Sequence, residues 1–136
     1  MVEIEVTYQG GLHAVSRHGP SGVELETDAP KDNEGRGESF SPTDLVATAL
    51  ASCILTTMGI VARRHQWPLD GARARVEKHM TATPSRRIAR LPVRIEMPAG
   101  LNAEARTVLE RTARTCPVHE SVRADIERPM TFVYPD

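Results

Sequence analysis

Apolar and polar residues alternate from the second position of the chain, with Val2, Ile4, Val6 and Tyr8 set against Glu3, Glu5 and Thr7. A period of two predicts a strand with one face buried. Gly10-Gly11 marks a turn, and Leu12 to Ser16 is predicted to return as the hairpin partner. Arg17-His18-Gly19-Pro20-Ser21-Gly22 reads as a second turn and Val23 to Thr27 as a third short strand, followed by a polar, glycine-rich loop over residues 29–40.

At Ser41 the period changes. Ser41-Pro42-Thr43-Asp44 combines a capping residue, a proline at the first helical position and an acid three residues after the cap. The segment LVATALASCILTTMGIVARR follows as a long helix. Val46, Ala49, Leu50, Cys53, Thr57, Ile60 and Val61 fall on one stripe, but Leu45, Leu55 and Met58 lie elsewhere, so the helix is apolar nearly all round. That pattern predicts a central helix. Its Ala, Ser and Thr content and its acidic start favour a core helix over a membrane span.

Beyond Trp67-Pro68-Leu69-Asp70-Gly71, the pattern predicts strands over Ala72 to Ala82 and Ile88 to Met97, joined through Pro84-Ser85-Arg86-Arg87. Asn102 is placed to cap a second helix, Ala103 to Thr115, with Ala105, Val108, Leu109 and Ala113 as its apolar stripe. Pro117 either kinks that helix or starts a new short one. A strand over Ile126 to Tyr134, broken by Pro129, closes the chain. Three strands, a long helix, two strands, a helix and a strand make an α+β protein with a largely antiparallel sheet, not a βαβ winding. The 136 residues are expected to form one domain, 1–136. So apolar a helix is expected to need a second subunit to cover it.

Composition narrows the chemistry. The chain is 40% hydrophobic and 26% charged with a net charge of -1, ordinary values for a globular protein. They offer no basic field for nucleic acid and no membrane role. The N-terminus lacks a basic start, an apolar run and a cleavage site, so a cytoplasmic, reducing compartment is expected. In that setting the only two cysteines, Cys53 and Cys116, are read as redox-active, metal-binding or simply buried, and not as a static disulfide. Cys116-x-x-His119 is a two-ligand fragment that Cys53 could join, but no second pair at zinc-site spacing is visible. His13, His18, His65 and His79 are scattered and read as solvated or turn residues. Hydrolase and nucleotide-binding motifs are absent from the sequence.

Two longer patterns carry a resemblance. Gly37-Glu38-Ser39-Phe40-Ser41-Pro42-Thr43-Asp44-Leu45, continued by Ala47-Thr48-Ala49-Leu50-Ala51-Ser52-Cys53, resembles the OsmC/Ohr family of osmotically induced and organic-hydroperoxide-resistance proteins. Arg114-Thr115-Cys116-Pro117-Val118-His119-Glu120 resembles that family's second cysteine motif. The resemblance implies an intertwined homodimer with its sites at the subunit interface. It also implies thiol-dependent reduction of organic or hydrogen peroxides without a cofactor or metal. Cys53 would be the peroxidatic thiolate and Cys116 the resolving thiol, with a dithiol, such as a lipoyl group, as reductant. The family's peroxidases place a Glu ten residues before the first cysteine, where this chain has Thr43, and they use an early-loop Arg. Glu38 could take the place of that carboxylate and Arg17 or His18, in the early turn, could supply the cation, whereas Asp44 is better explained as the capping-box acid. The alternative is a non-catalytic dimer of the same fold that binds a small apolar ligand at the subunit interface.

Overall fold

A computed structural model of the chain describes residues 1–135. The element order is β1 (Ile4–Gly10), β2 (His13–His18), β3 (Glu24–Asp28), α1 (Pro42–His65), β4 (Arg73–Val76), β5 (His79–Thr81), β6 (Arg87–Arg90), β7 (Val93–Glu96), α2 (Ala103–Ala113), α3 (Pro117–Ser121) and β8 (Met130–Val133). The chain is α+β, as the pattern predicts, and forms two compact units, Met1–Val46 and Ala47 onward.

The first unit is an antiparallel sheet in the order β1-β2-β3. Its pairing places Val6 opposite Ser16 and Ser16 opposite Leu25, while Glu5 faces Arg17 and Arg17 faces Glu24. The pleat therefore sorts Ile4, Val6, Tyr8 and Leu25 to one face and the charged residues to the other. The alternation in β1 is correctly read, but its burial is not. Ile4, Val6 and Tyr8 are 58%, 61% and 66% exposed. Arg17, expected in a turn, is the penultimate residue of β2, and the turn begins at Gly19.

The loop from Ala29 to Phe40 doubles back tightly, opening on one 3₁₀ turn, Lys31–Asn33. The Gly35 and Gly37 amides donate to the carbonyls of Pro30 and Ala29. A Cβ on Gly35 would stand 1.7 Å from the Ala29 carbonyl oxygen, so only glycine fits there.

Ser41 and Asp44 form the predicted capping box. The Ser41 amide donates to Asp44 Oδ2 at 2.9 Å, and the Asp44 amide donates to Ser41 Oγ at 3.1 Å. By length and composition α1 could cross a membrane, with a mean hydropathy of 2.1, but only one side of it is buried. Ala47, Leu50, Ala51, Ile54, Met58 and Ala62 make that side. The expected stripe is corrected: of its members only Leu50 is buried, and Ala49 and Ile60 are exposed. When every face is apolar, hydrophobicity alone does not choose the one that packs.

In the second unit the two long predicted strands are each split. Ala72–Ala82 breaks at Glu77-Lys78 into β4 and β5, and Ile88–Met97 breaks at Leu91-Pro92 into β6 and β7. Proline lacks the amide that a continuous ladder requires. The halves then pair separately: β5 with β6, and β4 with β7. β8 adds to β7 in parallel, and a parallel bridge between Arg90 and Glu127 precedes it, while the other strand pairs are antiparallel. Leu91, Val93, Ile95, Leu109 and Ala113 join the buried side of α1 among the core residues.

Candidate functional site

Both cysteines belong to the second unit. Cys53 lies more than three turns into α1, next to the buried row and not within it, and is partly accessible. A thiol at mid-helix gains little from the helix dipole. Its side-chain neighbour one turn on is Thr57, whose Oγ1 lies 3.7 Å from Cys53 Sγ. The adjacent Thr56 instead folds its hydroxyl back to the Ser52 carbonyl at 3.0 Å. Thr57 is thus the hydroxyl placed to donate to a Cys53 thiolate.

Cys116 follows α2 and opens α3. α2 begins where predicted, with the Asn102 side chain accepting from the Ala105 amide, and stops at Ala113 rather than at Thr115. Pro117 starts a new five-residue helix. Cys116 is its N-cap, an uncommon residue in that role: Sγ accepts from the His119 amide at 3.3 Å. The residue is fully buried. Burial pushes the Cys116 thiol above its ordinary value, the His119 amide opposes this, and the neighbouring Cys53 thiol adds to the rise. Cys116 is therefore a neutral thiol at neutral pH, and its neighbour Cys53 is the more accessible of the two.

Around α3 the chain closes on itself. Arg128 donates through Nη1 to the His119 carbonyl and through Nε to the Ile126 carbonyl, the latter at 3.0 Å. The same Nη1 is 3.5 Å from His119 Nδ1. His119 Nδ1 also lies 3.8 Å from Glu120 Oε1, so it stands between a cation and a carboxylate. Burial first, then the Arg128 charge, lowers the His119 imidazole below 6.5, which keeps it neutral at pH 7. Among the described residues no group of three or more His, Cys, Asp or Glu side chains is arranged to hold a metal. His119 turns to Arg128 and does not complete a ligand set.

Arg17 and Glu38 belong to the first unit. Arg17 stands on the charged face of the sheet between Glu5 and Glu24. Glu38 is exposed in the loop, and its amide donates to Asp28 Oδ2 at 3.1 Å. Beside it is a feature that the pattern does not disclose. His13 Nδ1 meets Asp28 Oδ1 at 2.6 Å and His13 Nε2 meets Glu26 Oε1 at 3.0 Å, at the edge of a polar cavity of about 430 Å³. His13 is thus a bridging residue, and not the solvated one expected. His18 does serve its turn, through Ser21 Oγ at 2.6 Å. Neither the His13 bridge nor Arg128 carries a sequence signal, because both depend on pairing between segments that no local period relates.

Comparison with known proteins sets this arrangement in context. No curated protein matches the chain. Among solved structures, a candidate osmotic stress induced and detoxification response protein from Psychrobacter arcticus is 43% identical, with a TM-score of 0.91 over 97% of this chain and 96% of its own. An organic hydroperoxide resistance protein OsmC from Legionella pneumophila shares the fold at 22% identity, with a TM-score of 0.73 over 98% of this chain and 96% of its own. So does an organic hydroperoxide resistance protein from Elizabethkingia anophelis, at 17% identity, with a TM-score of 0.79 over 98% and 96%. Residues 35–128, which run from the glycine-rich loop past both cysteines, match the OsmC-like protein family, and the chain belongs to that family.

Proposed function

We propose that this protein is a thiol-dependent peroxidase that reduces organic hydroperoxides or hydrogen peroxide in a stress-response or detoxification role. The observation that carries this reading is the pairing of two unequal neighbouring thiols, a partly accessible Cys53 and a fully buried, protonated Cys116. Names of the structural relatives point the same way, toward hydroperoxide resistance and detoxification.

Cys53, as the thiolate, attacks the distal oxygen of the peroxide. The O–O bond breaks, the alcohol or water leaves with a proton, and Cys53 becomes a sulfenic acid. The Cys116 sulfur then displaces the sulfenic hydroxyl, an S–S bond forms, and the Cys116 proton leaves with the hydroxyl as water. A dithiol of lipoyl type reduces the disulfide by exchange. Thr57 supplies a donor to the Cys53 thiolate. Arg17 and Glu38 remain the proposed cation and carboxylate for the step at Cys53, with Thr43 at the family's glutamate position. The working form is proposed to be a cytoplasmic homodimer, supported by the uncovered apolar face of β1–β3.

The test is peroxide consumption with a dithiol reductant. Cys53→Ser should abolish it, and Cys116→Ser should let Cys53 overoxidise. If wild-type protein consumes neither hydrogen peroxide nor an alkyl hydroperoxide above the double-mutant background, the proposal fails.

One feature favours a second reading, a dimer of this fold that binds a small apolar ligand. A groove of about 590 Å³ runs along the exposed side of α1, lined in part by Leu55, Gly59, Ile60, Trp67 and Leu69. On that reading Cys53→Ala retains ligand binding in full.

A further inference from the structure

α3 is too short to stand alone. A helix of five residues lies far below the length at which an isolated helix persists, about 12 to 15 residues. At its two ends the Glu120 amide donates to the Cys116 carbonyl and the Val122 amide to the Val118 carbonyl, both at 3.1 Å, and Ser121 Oγ donates to the Pro117 carbonyl at 2.7 Å. At its N-terminal end the cap is the reactive residue itself, since Cys116 Sγ accepts from the His119 amide. If Cys116 is to form a bond to Cys53, its sulfur has to abandon that cap and come to about 2.05 Å from its partner. Something else must then keep the turn in place.

Arg128 is built for that task. Its neighbours on both sides are tied to the β6–β7 segment. The Glu127 amide donates to the Ala89 carbonyl at 3.0 Å, the Leu91 amide to the Glu127 carbonyl at 2.8 Å, and the Val93 amide to the Pro129 carbonyl at 2.9 Å. The guanidinium is oriented by its Nε bond to the Ile126 carbonyl, which leaves Nη1 aimed at the His119 carbonyl. A charged donor fixed to the sheet therefore holds the main chain of α3 three residues beyond the cysteine.

We propose that Arg128 is the positioning residue for Cys116: it clamps α3 to the β6–β7 segment, so that Cys116 leaves its cap and reaches Cys53 by a side-chain rotation, not by unravelling of the turn. This deepens the peroxidase reading and rests on Cys116 as the resolving thiol. The step it serves is Cys53–S–OH plus Cys116–SH giving the Cys53–Cys116 disulfide and water. The S–O and S–H bonds break, the S–S and O–H bonds form, and the peroxide reduced in the preceding step is the oxidant.

The experiment has two arms. In the first, Arg128→Ala is made in a Cys53→Ser background and Cys116 is alkylated with iodoacetamide under native conditions. Loss of a charge-assisted hydrogen bond should raise its rate about tenfold or more. His119→Ala keeps the carbonyl and should leave the rate within about threefold of the parent, since the clamp is on the main chain. In the second arm, protein with both cysteines receives one equivalent of an alkyl hydroperoxide in the presence of dimedone. In Arg128→Ala the adduct at Cys53 should rise and the disulfide fall several-fold, with the rate of first-turnover peroxide loss unchanged. Arg128→Lys, able to reach the carbonyl without the second bond to Ile126, should fall between the two, and it serves as the test variant if Arg128→Ala does not fold. Unchanged alkylation and disulfide yield in these variants would overturn the proposal. So would a variant that loses Cys53 oxidation in parallel, the mark of general destabilisation. If wild-type protein gives neither adduct nor disulfide, the peroxidase reading fails, while the alkylation arm still decides whether Arg128 clamps α3.

Discussion

His13 joins β2 to β3 through both ring nitrogens, and this bridge gives the first unit a pH dependence. The hydrogen bond to Asp28, and then that to Glu26, raises the His13 pKa above its ordinary 6.5. The same bond to His13 holds the Asp28 carboxyl below its ordinary 3.8. For a raised histidine, the stabilisation is complete below about pH 6.5 and fades as pH climbs through the higher folded-state value. For a lowered carboxylate, it is complete above about pH 4 and fades as pH falls through the lower folded-state value. The bridge is therefore strongest between those limits. His13→Gln should lower the thermal midpoint most near about pH 5 to 6 and progressively less toward about pH 8, on matched melts of the two proteins. A mutational loss that does not vary with pH would show that His13 is only a neutral packing group.

At the level of elements, the capping box decides where α1 begins and hence the register that carries Cys53. Ser41 is almost wholly buried, and its hydroxyl and amide both belong to the box. Ser41→Ala removes the acceptor for the Asp44 amide and should destabilise the protein by about 1 to 2 kcal/mol in denaturant unfolding. Cys53 lies more than three turns away, so its alkylation rate in the folded variant should stay near that of wild type. A rate change as large as the stability change would mean that the start of the helix is coupled to the thiol. α2 and α3 repeat the same logic with different caps, a side-chain amide in Asn102 and a thiol in Cys116. The second is unusual because the group that caps the helix is also the group proposed to react.

For the whole molecule, the open question is what covers its apolar surface. One face of the β1–β3 sheet presents Ile4, Val6, Tyr8 and Leu25 to solvent, and α1 leaves Ile60 exposed. A contiguous apolar face on a charged sheet is the mark of an interface. The proposed occupant is a second copy of the chain. Sedimentation of the wild type should then report a dimer at micromolar concentration, and Val6→Glu should shift it toward monomer. In a monomeric protein the same substitution on an exposed strand would be nearly neutral, and a monomeric wild type would remove the proposal.

Much of this protein is local in origin. The start of the long helix, the Asn102 cap, the three N-terminal strands and the two cysteine motifs each depend on residues within a few positions of one another, so a period or a cap in the sequence determined them. The two thiol motifs also sufficed to indicate the family. What tertiary structure decided is everything that relates distant segments. It chose which face of an all-round apolar helix is buried, and it split the strand predicted over Ala72–Ala82 at Glu77-Lys78 so that its halves could join different sheets, whereas the break at Leu91-Pro92 has a proline to mark it. It turned a scattered histidine into a bridge between Asp28 and Glu26, and set Arg128 against α3. Hydrophobic burial is non-directional, and a hydrogen bond needs only the right partner in space. Neither leaves a trace in local spacing, and both are specified only when the chain is folded.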